Sequence, residues 1–384
     1  MHFEFATANR IIFGPGAIAR LVPVARSLGE RALVVVGGSG SRINAWIKEL
    51  RSGGIVVSEF RASKEPSVET VLCGLEQARA EDCEFVIGMG GGSVVDTGKA
   101  IAGLMSNPGE IYDYLEVVGK GKALTNPSAP YVAVPTTAGT GSEVTRNAVL
   151  TVTDQRVKVS LRSLFMLPRW AIVDPELTYS LPPEITAATG LDALTQLIEP
   201  FLSDASNPLT DAICREGMRR VSQSLQRAYK NGNDAHARED MALASLFGGM
   251  ALANAKLGAV HGFAGPIGGM FPAPHGAICA RLLPLVVEMN LTAIRDRAAQ
   301  RPILERFTEM SQLLRGDQGA RAEDGIRWLH ELCTALTIPP LATYGITESD
   351  FPEIIAQAKR ASSMKGNPIE LMDSELLRIL EQAL

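Results

Sequence analysis

The sequence is short of the features that mark several large classes of protein. Basic residues do not outnumber acidic ones: 37 Lys and Arg against 42 Asp and Glu leave a net charge of −5. Aromatic residues make up only 5% of the chain, and no basic run has aromatics interleaved with it. Nucleic-acid binding is therefore not expected. No stretch of about 18 apolar residues occurs, so no membrane span or membrane partner is expected. The opening residues, MHFEFATANR, lack the basic start and apolar core of a signal peptide. Cysteine is sparse: Cys73, Cys83, Cys214, Cys279 and Cys333 are scattered, odd in number, and form no C-x-x-C. That pattern speaks against a disulfide framework and against a thiolate metal site, and it fits free thiols in a reducing cytoplasm.

What is present is an ordinary globular composition spread over 384 residues, with 46% hydrophobic and 21% charged. A chain this long favours two domains over one core. In the first half, apolar runs at 32–36, 54–60, 84–90, 131–137 and 171–174 alternate with helical patterns. Strand and helix in alternation predict a mostly parallel sheet with helices on both faces. After SLPPE (180–184), where Ser180 can cap and the prolines suit a first helical turn, nearly every segment reads as helix. The helical segments expected are 208–229, 236–257, 277–289, 301–315, 321–336, 347–361 and 373–383. The stretch 241–262 is apolar or small on almost every side and belongs in the middle of a bundle. The boundary falls near residue 180, dividing an α/β domain (1–180) from a helical one (181–384), and the cleft between them is the expected site.

Two turns in the first half carry chemistry. EFVIGMGGGSVVDTGKA runs a strand into Gly88, Gly90, Gly91 and Gly92, with a helix opening at Ser93. Such a turn lets backbone approach a pyrophosphate at a helix N-terminus, or it is simply a tight turn. YVAVPTTAGTGSEVT again ends a strand in small residues, with Thr136, Thr137, Thr140 and Ser142 as short donors. Two such loops at strand ends suit a dinucleotide better than a bare phosphate. The strand at 32–36 is followed by Gly37, Gly38, Ser39, Gly40, Ser41 and Arg42, with no acid to pair a ribose 2′-hydroxyl. The serines and Arg42 could surround a 2′-phosphate, which favours NADP(H) over NAD(H); the alternative is a plain surface loop.

In the second half, His261 and His275 flank GFAGPIGGMFPAP, which has almost no other polar side chain. TGLDALTQLIEP (189–200) reads as a helix in which Asp192 and Gln196 lie four apart. These four residues suit a mixed oxygen and nitrogen site for Fe²⁺, Zn²⁺ or Mn²⁺; an Asp–His hydrogen-bonded core pair would use the same residues.

RIIFGPGA (10–17), GMGGGSVVDTGKA (88–100), VPTTAGTGSE (134–143), LPRWAIVDPEL (167–177), GLDALT (190–195), HG (261–262), PHG (274–276) and MKGNP (364–368) together resemble the iron-containing (group III) alcohol dehydrogenase family over nearly the whole chain. The resemblance implies a Rossmann-like α/β N-terminal domain followed by an all-α C-terminal domain, the dehydroquinate synthase-like architecture. It implies metal ligands at Asp192, Gln196, His261 and His275, with Asp192 and the two histidines also catalytic. It places the pyrophosphate at Gly90, Gly91, Gly92 and Ser93, with Asp96 and Lys99 just after, and nicotinamide and ribose contacts at Thr136, Thr137 and Lys158. The implied reaction is reversible hydride transfer between NAD(P)(H) and a small alcohol/aldehyde or ketone pair, with Fe²⁺ or Zn²⁺ polarising the substrate oxygen, in a cytoplasmic homodimer.

Three residues depart from the family pattern. Gln196 stands where histidine is usual, and its neutral amide oxygen implies looser metal retention. Gly265 stands where many members carry a histidine thought to assist proton movement. Gly37 stands where NAD-preferring members often have aspartate, in keeping with NADP(H). Rival readings are a metal-independent reductase of the maleylacetate reductase type, using Arg146 or Lys365, a sugar-phosphate cyclase of the dehydroquinate synthase type, and a nucleotide-binding protein without turnover.

Overall fold

A computed structural model of the chain describes residues 2–37, 41–62, 65–298 and 302–384. It divides into two compact units. One holds residues 6–137 and 141–178; the other holds residues 179–384, with 138–140 and the first residues of the chain.

The first unit is built on a six-stranded sheet. Its strands are β1 (Ile11–Phe13), β2 (Arg31–Val36), β3 (Val56–Arg61), β4 (Phe85–Gly90), β5 (Tyr131–Pro135) and β8 (Trp170–Val173). They run β1-β8-β5-β4-β2-β3, and every pairing is parallel. Parallel strands covered on both faces read as unbroken apolar runs. β4 and β5 are buried at every position, and their neighbours alternate between two cores. Leu33 and Val35 of β2 face one core, and Ala32, Val34 and Val36 face the other. The helices of this unit are α1 (Leu21–Arg26), α2 (Ser41–Ser52), α3 (Val68–Ala80), α4 (Gly92–Met105) and α5 (Ile111–Tyr114). A separate antiparallel hairpin, β6 (Asn147–Val152) with β7 (Val157–Arg162), follows β5.

The sequence reading found neither this hairpin nor the three-residue β1. The hairpin has a legible signature. Ala148, Leu150 and Val152 alternate as buried residues of β6, and the turn carries Arg156 at positive φ.

The second unit contains α6 (Pro183–Leu202), α7 (Pro208–Lys230), α8 (Ala235–Asn254), α9 (Ala259–Met270), α10 (His275–Ala298), α11 (Ile303–Arg315), α12 (Ala322–Ala335), α13 (Phe351–Arg360) and α14 (Asp373–Ala383). Its axis is α6, buried at every position from Gly190 to Leu202. Close approach to α6 depends on residues without side chains. A Cβ at Gly276 of α10 would lie 2.6 Å from the Ala188 carbonyl oxygen, and one at Gly248 of α8 would lie 3.1 Å from Gln196 Cβ. α10 is long and apolar enough to cross a membrane, but 78% of its most apolar window is buried within this unit, as in the core helix of a bundle.

Two expectations are corrected here. The cap of α6 is Pro182, with Pro183 opening the helix, so Ser180 does not cap it. The apolar stretch 241–262 is not one helix: it breaks after Asn254, and α8 and α9 are bent by 97°. The break gives α9 an N-terminus of its own, which Glu199 occupies: its Oε1 accepts from the Val260 N–H at 2.7 Å.

Candidate metal centre and dinucleotide edge

The carboxyl edge of the sheet gathers most of the glycine-rich positions. β2 connects onward to β3 on one side, while β4 connects to β5 on the other, so the order reverses between β2 and β4. In open parallel sheets that reversal point is where a ligand finds space beyond the strand ends. Gly37 follows β2, and Gly90, Gly91, Gly92 and Ser93 form the passage from β4 into α4. No side chain caps α4, and no acidic residue lies in its first turn, so its free N–H groups and positive dipole end suit an anion. The turn must be glycine at Gly90, where a Cβ would sit 2.6 Å from Val94 Cγ2.

Thr136 and Thr137 follow the adjacent strand. The Thr136 N–H donates to the Gly90 carbonyl at 2.9 Å, and Thr137 Cγ2 would lie 3.3 Å from a Cβ at Gly91. The structure thus brings Gly90–Ser93, Thr136 and Thr137 together. Gly38 and Ser39 lie outside the described residues, and of Arg42 only the backbone, in α2, is described.

The other sequence-proposed residues of this unit have partners within it. Asp96 Oδ1 accepts from the Ser142 hydroxyl, and its Oδ2 accepts from the Val149 N–H at 3.0 Å. Lys158 Nζ pairs with Glu65 at 2.8 Å. Lys99 is fully buried, and its ammonium donates to the Ser142 carbonyl (2.6 Å), Ser142 Oγ (2.9 Å), Thr145 Oγ1 (2.9 Å) and the Asn147 carbonyl (2.8 Å). Burial lowers its pKa more than Asp96 and Glu143 raise it. Lys99 therefore ties the 142–147 segment to α4.

The polar cluster of the helical unit is organised differently. Asp192 on α6, His261 on α9, and His275 and Cys279 on α10 place one ligand atom each within 4.8 Å of one another. Asp192 Oδ1 lies 3.5 Å from His261 Nε2 and 3.8 Å from His275 Nε2. The imidazole rings are 5.4 Å apart, centre to centre. On its other nitrogen, Nδ1, His261 meets Glu199 Oε2 at 2.6 Å. A carboxylate there fixes the tautomer and turns the Nε2 lone pair toward Asp192.

Asp192 Oδ1 therefore has both imidazole Nε2 atoms and the Cys279 thiol around it. Asp192 Oδ1 and Gln196 Oε1 are both buried without a hydrogen-bond partner. Such atoms are costly to leave unpaired, and a cation satisfies them together. Burial opposes charge on Asp192, but His261 and His275 outweigh it and hold the carboxyl below its ordinary range. Burial likewise opposes charge on His261, yet the flanking carboxylates of Glu199 and Asp192 raise its pKa well above the ordinary value. His275 is the most exposed of the four, with 31% of its side chain accessible. One turn beyond His261, a Cβ at Gly265 would meet nothing within 4 Å, leaving room beside the cluster.

Glu199 and Cys279 were not singled out from the sequence as site residues. Glu199 had a readable signal, since it continues the Asp192–Gln196 stripe at the seventh position along the same helical face.

"Iron-containing alcohol dehydrogenase" matches residues 8–175, and "Fe-containing alcohol dehydrogenase family, C-terminal" matches residues 186–384. The 1,3-propanediol dehydrogenase of Klebsiella pneumoniae is 37% identical over 99% of this chain and 98% of its own. The crystal structure of a 1,3-propanediol oxidoreductase superposes with a TM-score of 0.92 at 36% identity, covering all of both chains. Sulfoacetaldehyde reductase from Bifidobacterium kashiwanohense, solved in complex with NAD⁺, superposes with a TM-score of 0.87 at 30% identity, covering 100% of this chain and 99% of its own. The chain belongs to the iron-containing alcohol dehydrogenase family and is an oxidoreductase, an enzyme of a family that works with a nicotinamide dinucleotide and a divalent metal.

Proposed function

We propose that the enzyme interconverts small alcohols with their aldehydes or ketones, using NADP(H) in preference to NAD(H) and a divalent cation, Fe²⁺ or Zn²⁺, held by Asp192, His261 and His275. The observation that carries this reading is the orphaned buried acceptor Asp192 Oδ1, with two imidazole nitrogens within 3.8 Å of it, and a second orphaned buried acceptor, Gln196 Oε1, one turn along the same helix. When bound, the cation supplies Lewis acidity toward a substrate oxygen and the nicotinamide supplies the hydride carrier.

The chain's own groups do the positioning. Glu199 orients His261, and the exposed side of His275 together with the open space at Gly265 provides the approach for a small substrate. Gly265 offers no proton donor, so the proton passes through water or a cofactor hydroxyl. Gly90–Ser93 with the start of α4 receives the pyrophosphate, and Thr136, Thr137, Asp96 and Lys158 border the remainder of the dinucleotide. The names of the relatives, a propanediol dehydrogenase and a sulfoacetaldehyde reductase, support a short aldehyde or alcohol as substrate. Gly37, with no carboxylate to repel a 2′-phosphate, supports NADP(H). A cytoplasmic homodimer completes the reading, supported by the family resemblance and the five free thiols.

The test pairs metal analysis by mass spectrometry with absorbance assays of NADPH and NADH oxidation against a panel of short aldehydes. Stoichiometric metal and faster NADPH oxidation are expected, with Gly37→Asp shifting preference toward NADH. No oxidation of either cofactor across the panel overturns the dehydrogenase reading, and faster oxidation of NADH overturns the NADP(H) preference.

A further inference from the structure

We propose that Cys279 is a metal ligand, its thiolate joining Asp192, His261 and His275 in the position that the Gln196 amide would otherwise fill. This rests on the reading that those three residues hold a divalent cation.

Cys279 lies one turn after His275 on α10, so both project from the same face. It is fully buried, at the place where the apolar core of this unit meets the polar cluster. Its Sγ is 3.6 Å from His275 Nε2 and 4.0 Å from His261 Nε2, the two nitrogens that face Asp192. Tetrahedral bonds of ~2.0–2.3 Å place neighbouring donor atoms ~3.3–3.6 Å apart. The observed separations, 3.5 and 3.8 Å for nitrogen to oxygen and 3.6 and 4.0 Å for nitrogen to sulfur, are slightly expanded edges of that figure. A small inward movement of four side chains closes it.

The choice between sulfur and amide follows from donor chemistry. A thiolate is anionic and soft, whereas the Gln196 oxygen is neutral and hard. Two imidazoles, a carboxylate and a thiolate form a strong site for zinc or ferrous iron and a poor one for magnesium. Ligation replaces the S–H bond with a sulfur–metal bond and passes one proton to solvent, so the metal itself generates the thiolate. The loose retention that Gln196 alone implies is then offset by a donor on another helix.

Cobalt(II) provides the test. The full chain is stripped with a chelator, loaded with Co²⁺, and read by near-ultraviolet absorption. A thiolate-to-cobalt charge-transfer band is expected in the wild type and in Gln196→Ala, and its loss is expected in Cys279→Ser, whose folding is checked by circular dichroism. Cobalt bound without that band, or a band that survives Cys279→Ser, overturns the assignment while leaving the cation site itself intact. If the wild type binds no cobalt at all, the cation reading and the Cys279 assignment fall together. X-ray absorption of the zinc-loaded wild type gives a second readout that needs no variant. One sulfur at about 2.3 Å is expected, and a shell of nitrogen and oxygen alone overturns the proposal.

Discussion

Each unit of the molecule buries a cluster of charged and polar side chains, and the two clusters are opposites. In the α/β unit, Lys99 is fully enclosed and has four close oxygen partners, with Asp96 alongside. In the helical unit, Asp192 and Gln196 each leave an oxygen unpartnered, and two imidazoles and a thiol gather around Asp192. Burial and charge are thus poor indicators of function by themselves, since both clusters have them. What separates the clusters is whether the chain satisfies its own polar atoms. Where it does, the cluster holds the fold together; where it does not, the cluster awaits something from outside.

The sharpest way to break this comparison is at His275. His275→Ala should abolish bound metal and lower kcat/KM by a factor of roughly 100 or more, measured by metal analysis beside turnover. An active, metal-loaded variant would remove the basis for distinguishing the clusters. Lys99→Ala should act on the other side, costing about 2–5 kcal/mol of stability because the Ser142 and Asn147 carbonyls lose their donor and a cavity is left in the core. Denaturant unfolding measures this, and metal content per folded chain should not change.

Glu199→Gln keeps an acceptor for His261 but removes the charge, and titration calorimetry should show metal affinity falling by about 10–100-fold. A further difference concerns pH. Burial pushes the Glu143 carboxyl up to about 7 from 4.5, against the opposing pull of its backbone hydrogen bond and of Lys99. The folded chain therefore holds this proton through a range in which the unfolded chain has lost it. Its contribution to stability is complete below the unfolded pKa and is lost as pH rises through about 7, a loss on the order of 3 kcal/mol. Glu143→Gln should flatten that decline, so the variant gains on the wild type between about pH 5 and pH 8 in unfolding experiments. Identical pH profiles would mean that the carboxyl titrates normally.

Much of this was legible in the sequence because the signals are local. β2, β4, β5 and β8 are short apolar runs bounded by turn residues, and the glycine turn after β4 is contiguous. What escaped depends on how helices meet. Cys279 reads as one of five scattered thiols until α9 and α10 bring it against two imidazoles from positions 261 and 275. The break after Asn254 is invisible to hydropathy because both sides are equally apolar. It is required by Glu199, which reaches the start of α9 from another helix. Residues 147–152 and 157–162 escaped for a different reason: they form a two-stranded sheet apart from the six-stranded one, outside the strand–helix alternation that the first half shows.

Tyr131 has a consequence that reaches beyond its own strand. Its side chain lies so close to Gly88 of β4 and Gly98 of α4 that a Cβ at Gly88 would come within 2.1 Å of its hydroxyl oxygen and one at Gly98 within 2.9 Å of its ring, and that hydroxyl donates to the Val95 carbonyl at 2.8 Å. The ring acts as a gauge block: its thickness sets how high α4 rides above the strand. Adding one methyl group at Gly98 would tilt the helix and move the rim of N–H groups at its start. Binding of a phosphate there would then weaken although no atom that touches it had been altered.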